Sequence, residues 1–200
     1  PLVIFMFTSL RFKRGEFDEY FKKIESEDFF SKERDTLLGT IEGLLFIGFK
    51  YDTSQKVVDP QSYDRMKKSI EVEVYNPSLR KPSEEKIDKS ALKKYAEFLK
   101  ADYILVGDLT KMGKWELKGM EDKGCEMDAA FLLYNRDKND FIMKKVYSLN
   151  ERLPEEGSSV KKLPRRLKEN MFSFARSEPG YCFLKIMEKL TSEFQPAEEE

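Results

Sequence analysis

A single α/β domain, one mixed sheet with helices packed against it, is the fold class this sequence predicts, and three observations predict it. Ala101–Leu109 (ADYILVGDL) is an apolar run that follows an amphipathic stretch, the pattern of a buried strand. Three further apolar or alternating segments come after it: Lys114–Met120, Met127–Tyr134 and Phe141–Leu149. Segments at Asp35–Phe49 and from Ser177 to Phe194 carry apolar residues at i, i+3, i+4 and i+7. Strands and amphipathic helices in one chain of 200 residues suit a layered domain over 1–195, followed by a disordered acidic tail at 196–200.

In chain order, Leu2–Phe7 (LVIFMF) predicts a central strand covered on both faces. Phe17–Phe30 carries aromatics at helical spacing, with Phe29 and Phe30 capping that face or packing in the loop after it. The helix at Asp35–Phe49 takes Asp35 as N-cap and ends near Gly48. Tyr51–Val58 reads as a short edge strand, Pro60–Lys68 as a short helix and Ile70–Tyr75 as an alternating strand or extended loop. Asn76–Pro82 is a linker. Ser83 then caps a helix running to Lys100, which buries Ile87, Leu92, Tyr95, Ala96 and Leu99. Residues 103–149 form a meander, with Asn139 in its last turn tolerating a left-handed backbone. Glu151–Lys168 is a loop, and Ser177 caps the closing helix with Pro179 in its first turn.

Composition excludes several function classes. Histidine is absent, which removes Ser-His-Asp and Cys-His catalysis and every His-ligated metal site. The 36 basic and 37 acidic residues leave a net charge of −1, no footprint for wholesale nucleic-acid binding. No apolar run approaches the roughly 20 residues that span a bilayer. The chain opens on Pro1 without a Met start or a basic n-region, as expected of a trimmed or mature form, with any export signal lying outside it. Cys125 and Cys182 fit no zinc pattern; a disulfide between them and two buried thiols both remain open.

Some residues are candidate sites. Trp115 alternates with charges on a strand predicted to lie at a sheet edge, where it either anchors a partner or covers the core. Lys161, Lys162, Arg165, Arg166 and Lys168 form the densest basic patch, a partner or lipid contact or else a solvated loop. Phe12, Phe17, Tyr20, Phe21, Phe29 and Phe30 make an aromatic-rich segment that is either an oligomer interface or an added helix. Asp102, Asp108 and Asp128 are read as strand-end residues bonding turn amides rather than as a metal cluster. Gly107–Gly113 lacks the Gly-Lys-Ser/Thr of a phosphate loop. No cofactor is implied.

A helix ending in Lys100-Ala101-Asp102, followed by Tyr103-Ile104-Leu105-Val106-Gly107-Asp108, resembles the "gADyvlvG" strand of bacterial envelope lipoproteins. That group includes the curli-secretion lipoprotein, the activator of penicillin-binding proteins and the N-terminal domain of the Tol-Pal propeller protein. Leu132–Ile142 sits where those proteins carry "rLvDvkTGeil", with Asn135 for the usual Asp and Asn139 for the usual Gly. Leu37–Phe49 and the closing helix match in position, so the likeness spans 1–7 and 35–194, with its specific residues at 101–107. The resemblance implies an anticodon-binding-domain-like sandwich in a periplasm-facing, outer-membrane-anchored protein. It implies action by binding other envelope proteins or by self-association, without catalysis or nucleic acid, and membrane contact only through a lipid anchor outside this chain. The competing classes are a carboxylate-based hydrolase or transferase and a nucleic-acid-binding module.

Overall fold

Four strands form one mixed sheet: β1 (Leu2–Thr8), β2 (Tyr103–Glu116), β3 (Lys123–Asn135) and β4 (Asp140–Arg152), lying in that order. β1 runs parallel to β2, and the other neighbours are antiparallel. These elements belong to a computed structural model that describes residues 1–8, 27–63, 87–117, 122–154 and 169–195, without the side chains of 27–35, 169, 170 and 172. Helices α1 (Glu27–Asp52), α3 (Glu169–Ala175) and α4 (Glu178–Ser192) pack on one face of the sheet. The other face carries α2 (Lys89–Phe98) and Tyr63. This is the α/β arrangement of one sheet with helices packed against it.

The alternation of strand side chains explains the two cores. Leu2, Ile4 and Met6 join Leu105, Leu109, Met127, Phe131 and Leu133 against Ile41 and Leu45 of α1 and Phe183 and Ile186 of α4. Val3, Phe5 and Phe7 join Ile104, Val106, Leu132 and Tyr134 against Leu92 and Ala96 of α2. β1 is therefore covered on both faces, yet it is an edge strand and not a central one. Its outer margin is closed by other means. The Leu2 N–H donates to the Lys56 carbonyl at 2.7 Å, and the Val58 N–H to that of Leu2 at 2.9 Å. The Tyr63 hydroxyl donates to the Ile4 carbonyl at 2.8 Å, and the Met6 N–H to Glu42 Oε1 at 2.8 Å. Hydropathy reports coverage of faces, whereas edge position depends on hydrogen-bond partners, so it was invisible in the run LVIFMF.

Other boundaries move for physical reasons. The segments at 101–109 and 114–120 are one strand through Glu116, joined by a register shift between Leu109 and Lys111. The extra residue breaks the alternation, which imitates a gap between two strands. Asp35 and Gly48 lie inside α1, which also takes Phe29, Phe30, Tyr51 and Asp52 into its backbone. Of the edge strand expected at 51–58, only the bridge of Val57 to Leu2 exists. The helix expected from Pro60 is a single 3₁₀ turn, Pro60–Ser62, within the described residues. The readings at 9–26, 64–86, 118–121, 155–168 and 196–200 lie outside them, including Ser83 as a cap. Asp88 caps α2, its side chain accepting the Ser90 N–H at 2.8 Å. That helix ends with Lys100 at φ 52°, the Ala101 N–H reaching the Ala96 carbonyl at 2.8 Å. Asn139 has φ 49° in the β3–β4 turn, where Tyr134 donates its hydroxyl to Asn139 Oδ1 at 2.7 Å.

A helix at Glu169–Ala175 adds to the elements that the sequence predicts. α3 buries Met171, Phe174 and Ala175 and turns into α4 through Ser177. The Ser177 hydroxyl donates to the Phe174 carbonyl at 2.6 Å and accepts the Gly180 N–H at 3.1 Å. A Cβ at Gly180 would overlap that same carbonyl, so the turn requires glycine there. Cys125 of β3 and Cys182 of α4 form a disulfide, with Cα atoms 6.1 Å apart and both residues fully buried. The bond fastens the closing helix to the centre of the sheet.

Candidate interaction surface

α2 covers its face of the sheet only at the Tyr103–Tyr134 end. Toward the other end of the three antiparallel strands the same face becomes polar. Trp115 pairs with Gly124, Glu126 with Asn150, and Asp128 with Lys111 and Ser148. Directly opposite residues share a face, so these side chains form one surface.

Cross-strand contacts organise that surface. The Trp115 ring lies over Gly124, where a Cβ would overlap the indole, and its Nε1–H donates to Asn150 Oδ1 at 2.9 Å. Lys111 meets Glu126 at 2.7 Å, and the Ser148 hydroxyl donates to Asp128 Oδ1 at 2.5 Å. Arg152 pairs with Asp122 at the sheet margin. The hydrogen bond to Glu126 raises the Lys111 ammonium above the ordinary lysine value. Trp115 therefore spans three strands, half-buried, with its hydrophobic area shared between β3 and the solvent.

Trp115 stands on the part of β2 beyond Leu109, where the pairing with β1 has ended and β3 is the one described strand beside it, so among the described residues this part of β2 is locally a sheet edge. Lys161, Lys162, Arg165, Arg166 and Lys168 lie outside the described residues, as does Phe12 to Phe21 of the aromatic segment. The three aspartates do not converge. Asp102 precedes β2 and accepts Arg136 Nη2 at 3.1 Å, Asp108 is fully buried in mid-strand, and Asp128 is held by Ser148. Asp108 and Asp128 are thus mid-strand rather than strand-end residues, and Asp128 bonds a hydroxyl rather than a turn amide. Among the described residues no group of three His, Cys, Asp or Glu side chains could hold a metal.

Among the described residues, two clefts carry no local sequence signature. One, of about 420 Å³, lies at the opposite end of the α1–α4 face, where Leu2, Tyr103, Leu133 and Met143 floor it and Gln55, Glu193 and Gln195 rim it. The second, of about 450 Å³, is charged, between Lys93, Glu97 and Lys100 of the α2 end and Arg136 and Asp137 of the β3–β4 turn. Both join residues distant in sequence, so no local pattern marks them.

The class this geometry defines is an α/β domain with one mixed sheet and a polar sheet face that α2 covers only in part. No protein-family model matches the chain, and no curated protein matches it. Among solved structures the chain is similar to the hypothetical protein CT253 from Chlamydia trachomatis, with TM-score 0.51 and 9% identity over 96% of this chain and 93% of that one. It is also similar to lipoprotein GNA1162 from Neisseria meningitidis, with TM-score 0.43 and 9% identity over 96% of each chain. The C-terminal domain of LpoB from Salmonella enterica matches with TM-score 0.30 and 10% identity over 74% of this chain and 80% of that domain. The first of these likenesses establishes the fold.

Proposed function

We propose that this chain is a non-catalytic, periplasm-facing binding or assembly protein of the bacterial envelope, of the outer-membrane lipoprotein type. The observation that carries this reading is the buried Cys125–Cys182 bond. Disulfides persist in oxidising compartments and are rare in reducing cytosol. The strand at 101–107 that resembles the envelope lipoproteins is the same strand to which β1 and β3 are bonded, which agrees with that setting. Residues 1–195 act as one domain, with Trp115 and the basic residues Lys161, Lys162, Arg165, Arg166 and Lys168 as partner contacts. The partners are other envelope proteins or further copies of the chain.

Cell fractionation with thiol labelling tests the reading. Expected is protein in the envelope fraction whose cysteines react with maleimide only after reduction. Reduced protein in the cytosolic fraction overturns it. Changing Trp115 to Ala should then abolish co-purification with envelope partners in protein that still melts cooperatively, with a stability loss of about 1 kcal/mol from the lost cross-strand packing.

A further inference from the structure

The two margins of the sheet are treated differently. β1 has its outer hydrogen-bonding groups occupied by Lys56, Val58, Tyr63 and Glu42. β4 is 13 residues long, and among the described residues no backbone hydrogen bond reaches its outer margin. Val146, at the middle of that margin, is 67% exposed. An extended strand with unpaired N–H and C=O groups is a template for another strand.

We propose that β4 pairs with β4 of a second copy, antiparallel about a twofold axis at Val146, joining two four-stranded sheets into one. The occupant is argued from the strand's own sequence. Centred on Val146, the pairing sets Met143 opposite Leu149, Lys144 opposite Ser148, Lys145 opposite Tyr147, and Val146 opposite itself. Apolar residues then meet apolar residues, and no like charges face each other. Neighbouring registers are worse. Centring on Lys145 opposes that lysine to its own copy, and centring on Ser148 opposes Lys144 to Arg152. Centring on Tyr147 sets Met143 against Glu151 and Leu149 against Lys145. Cross-strand pairs of matched and mismatched residues differ in stability, and over several positions this selects one register.

Lysines on an edge strand commonly guard it against such pairing. Here Lys145 is turned to the α4 side, its ammonium 2.8 Å from Glu193 Oε1. That leaves Lys144 alone among uncharged neighbours on the open face. The irregularity between Leu133 and Tyr134, which displaces Ile142 from the ladder, ends the regular stretch just before Met143. The pairable segment is therefore bounded, favouring a closed pair over an open fibre. A joint of this kind is small, so the association belongs to the weak, transient class. The inference stands on the geometry of β4 and is independent of the cellular setting proposed above.

No free cysteine exists among the described residues, and both cysteines of the chain are bonded to each other, so an introduced thiol is a clean probe. Val146→Cys should give a covalent dimer with a short bismaleimide, because directly opposite Cβ atoms lie about 5 Å apart. Ser148→Cys should not, its twin being displaced by four residues, about 13 Å along the strands. Sedimentation velocity of the unmodified protein should show a concentration-dependent shift toward dimer, abolished by Val146→Lys with melting unchanged. Absence of any shift, a Val146→Lys variant that sediments like the parent, or cross-linking equal at 146 and 148 each overturns the proposal.

Discussion

Glu42 Oε1 accepts the backbone N–H of Met6 at 2.8 Å, linking the middle of α1 to the outer margin of β1 where both are buried. A helix side chain thus finishes a sheet edge that no strand among the described residues completes. Replacing Glu42 with Leu leaves the Met6 N–H buried without an acceptor, which costs about 1–3 kcal/mol. Glu42→Gln retains an oxygen at the same reach and should lose clearly less. Urea unfolding of the two variants measures this; equal losses would show that the acceptor is not what matters.

Tyr147 contributes the opposite case, a buried hydroxyl with no hydrogen-bond partner among the described residues. Its ring packs edge-on against Phe131 with centroids 6.0 Å apart, a contact that phenylalanine preserves. Tyr147→Phe should therefore be neutral or stabilising by up to about 1 kcal/mol at neutral pH. A loss beyond that range in chemical denaturation would mean the hydroxyl has a partner after all.

Alkaline pH should expose the same site. Burial, and then the charge of Glu193, raise the Tyr147 phenol above its ordinary value. Lys185 is raised by its hydrogen bond to Glu151, at 3.0 Å. Both folded-state values lie above the unfolded ones, so their contributions are complete below about pH 10 and fade as pH climbs through the folded values. Melting temperature should be level from neutral pH to that point and then fall. Tyr147→Phe should fall less steeply, and parallel curves for the two proteins would contradict the assignment.

The turn from α3 to α4 has no room for a side chain at Gly180, because the Phe174 carbonyl occupies the place of its Cβ. Gly180→Ala should destabilise by about 1–3 kcal/mol, since backbone must shift to admit the methyl group. Ser177→Ala, which removes the cap but makes no clash, should lose about 1 kcal/mol. Thermal melts that rank Ser177→Ala as the more harmful would show that the turn yields easily.

Reduction of Cys125–Cys182 opens a loop of 57 residues' separation. In the chain-entropy account such a closure contributes about 4 kcal/mol. The double Cys→Ala variant should melt well below the parent, by a margin that a merely decorative bond would not produce.

Much of the architecture follows from local pattern. LVIFMF, ADYILVGDL and MDAAFLLY are strands because their apolar residues have no polar face to show, and Ser177, Pro179 and Phe183 to Leu190 mark a capped helix with one buried stripe. Such patterns act over a few residues, and there the sequence by itself determined secondary structure, the two-sided burial of β1 and the lack of histidine chemistry.

Tertiary structure alone decided what depends on partners far along the chain. Which strand is an edge, whether Cys125 meets Cys182, that Trp115 rests on Gly124 and reaches Asn150, and that no described residue bonds the outer margin of β4 are all matters of hydrogen-bond and contact geometry. The physical reason is that hydropathy records how much water a residue avoids but not which neighbour replaces it. That neighbour is set only when the sheet closes in the order β1-β2-β3-β4.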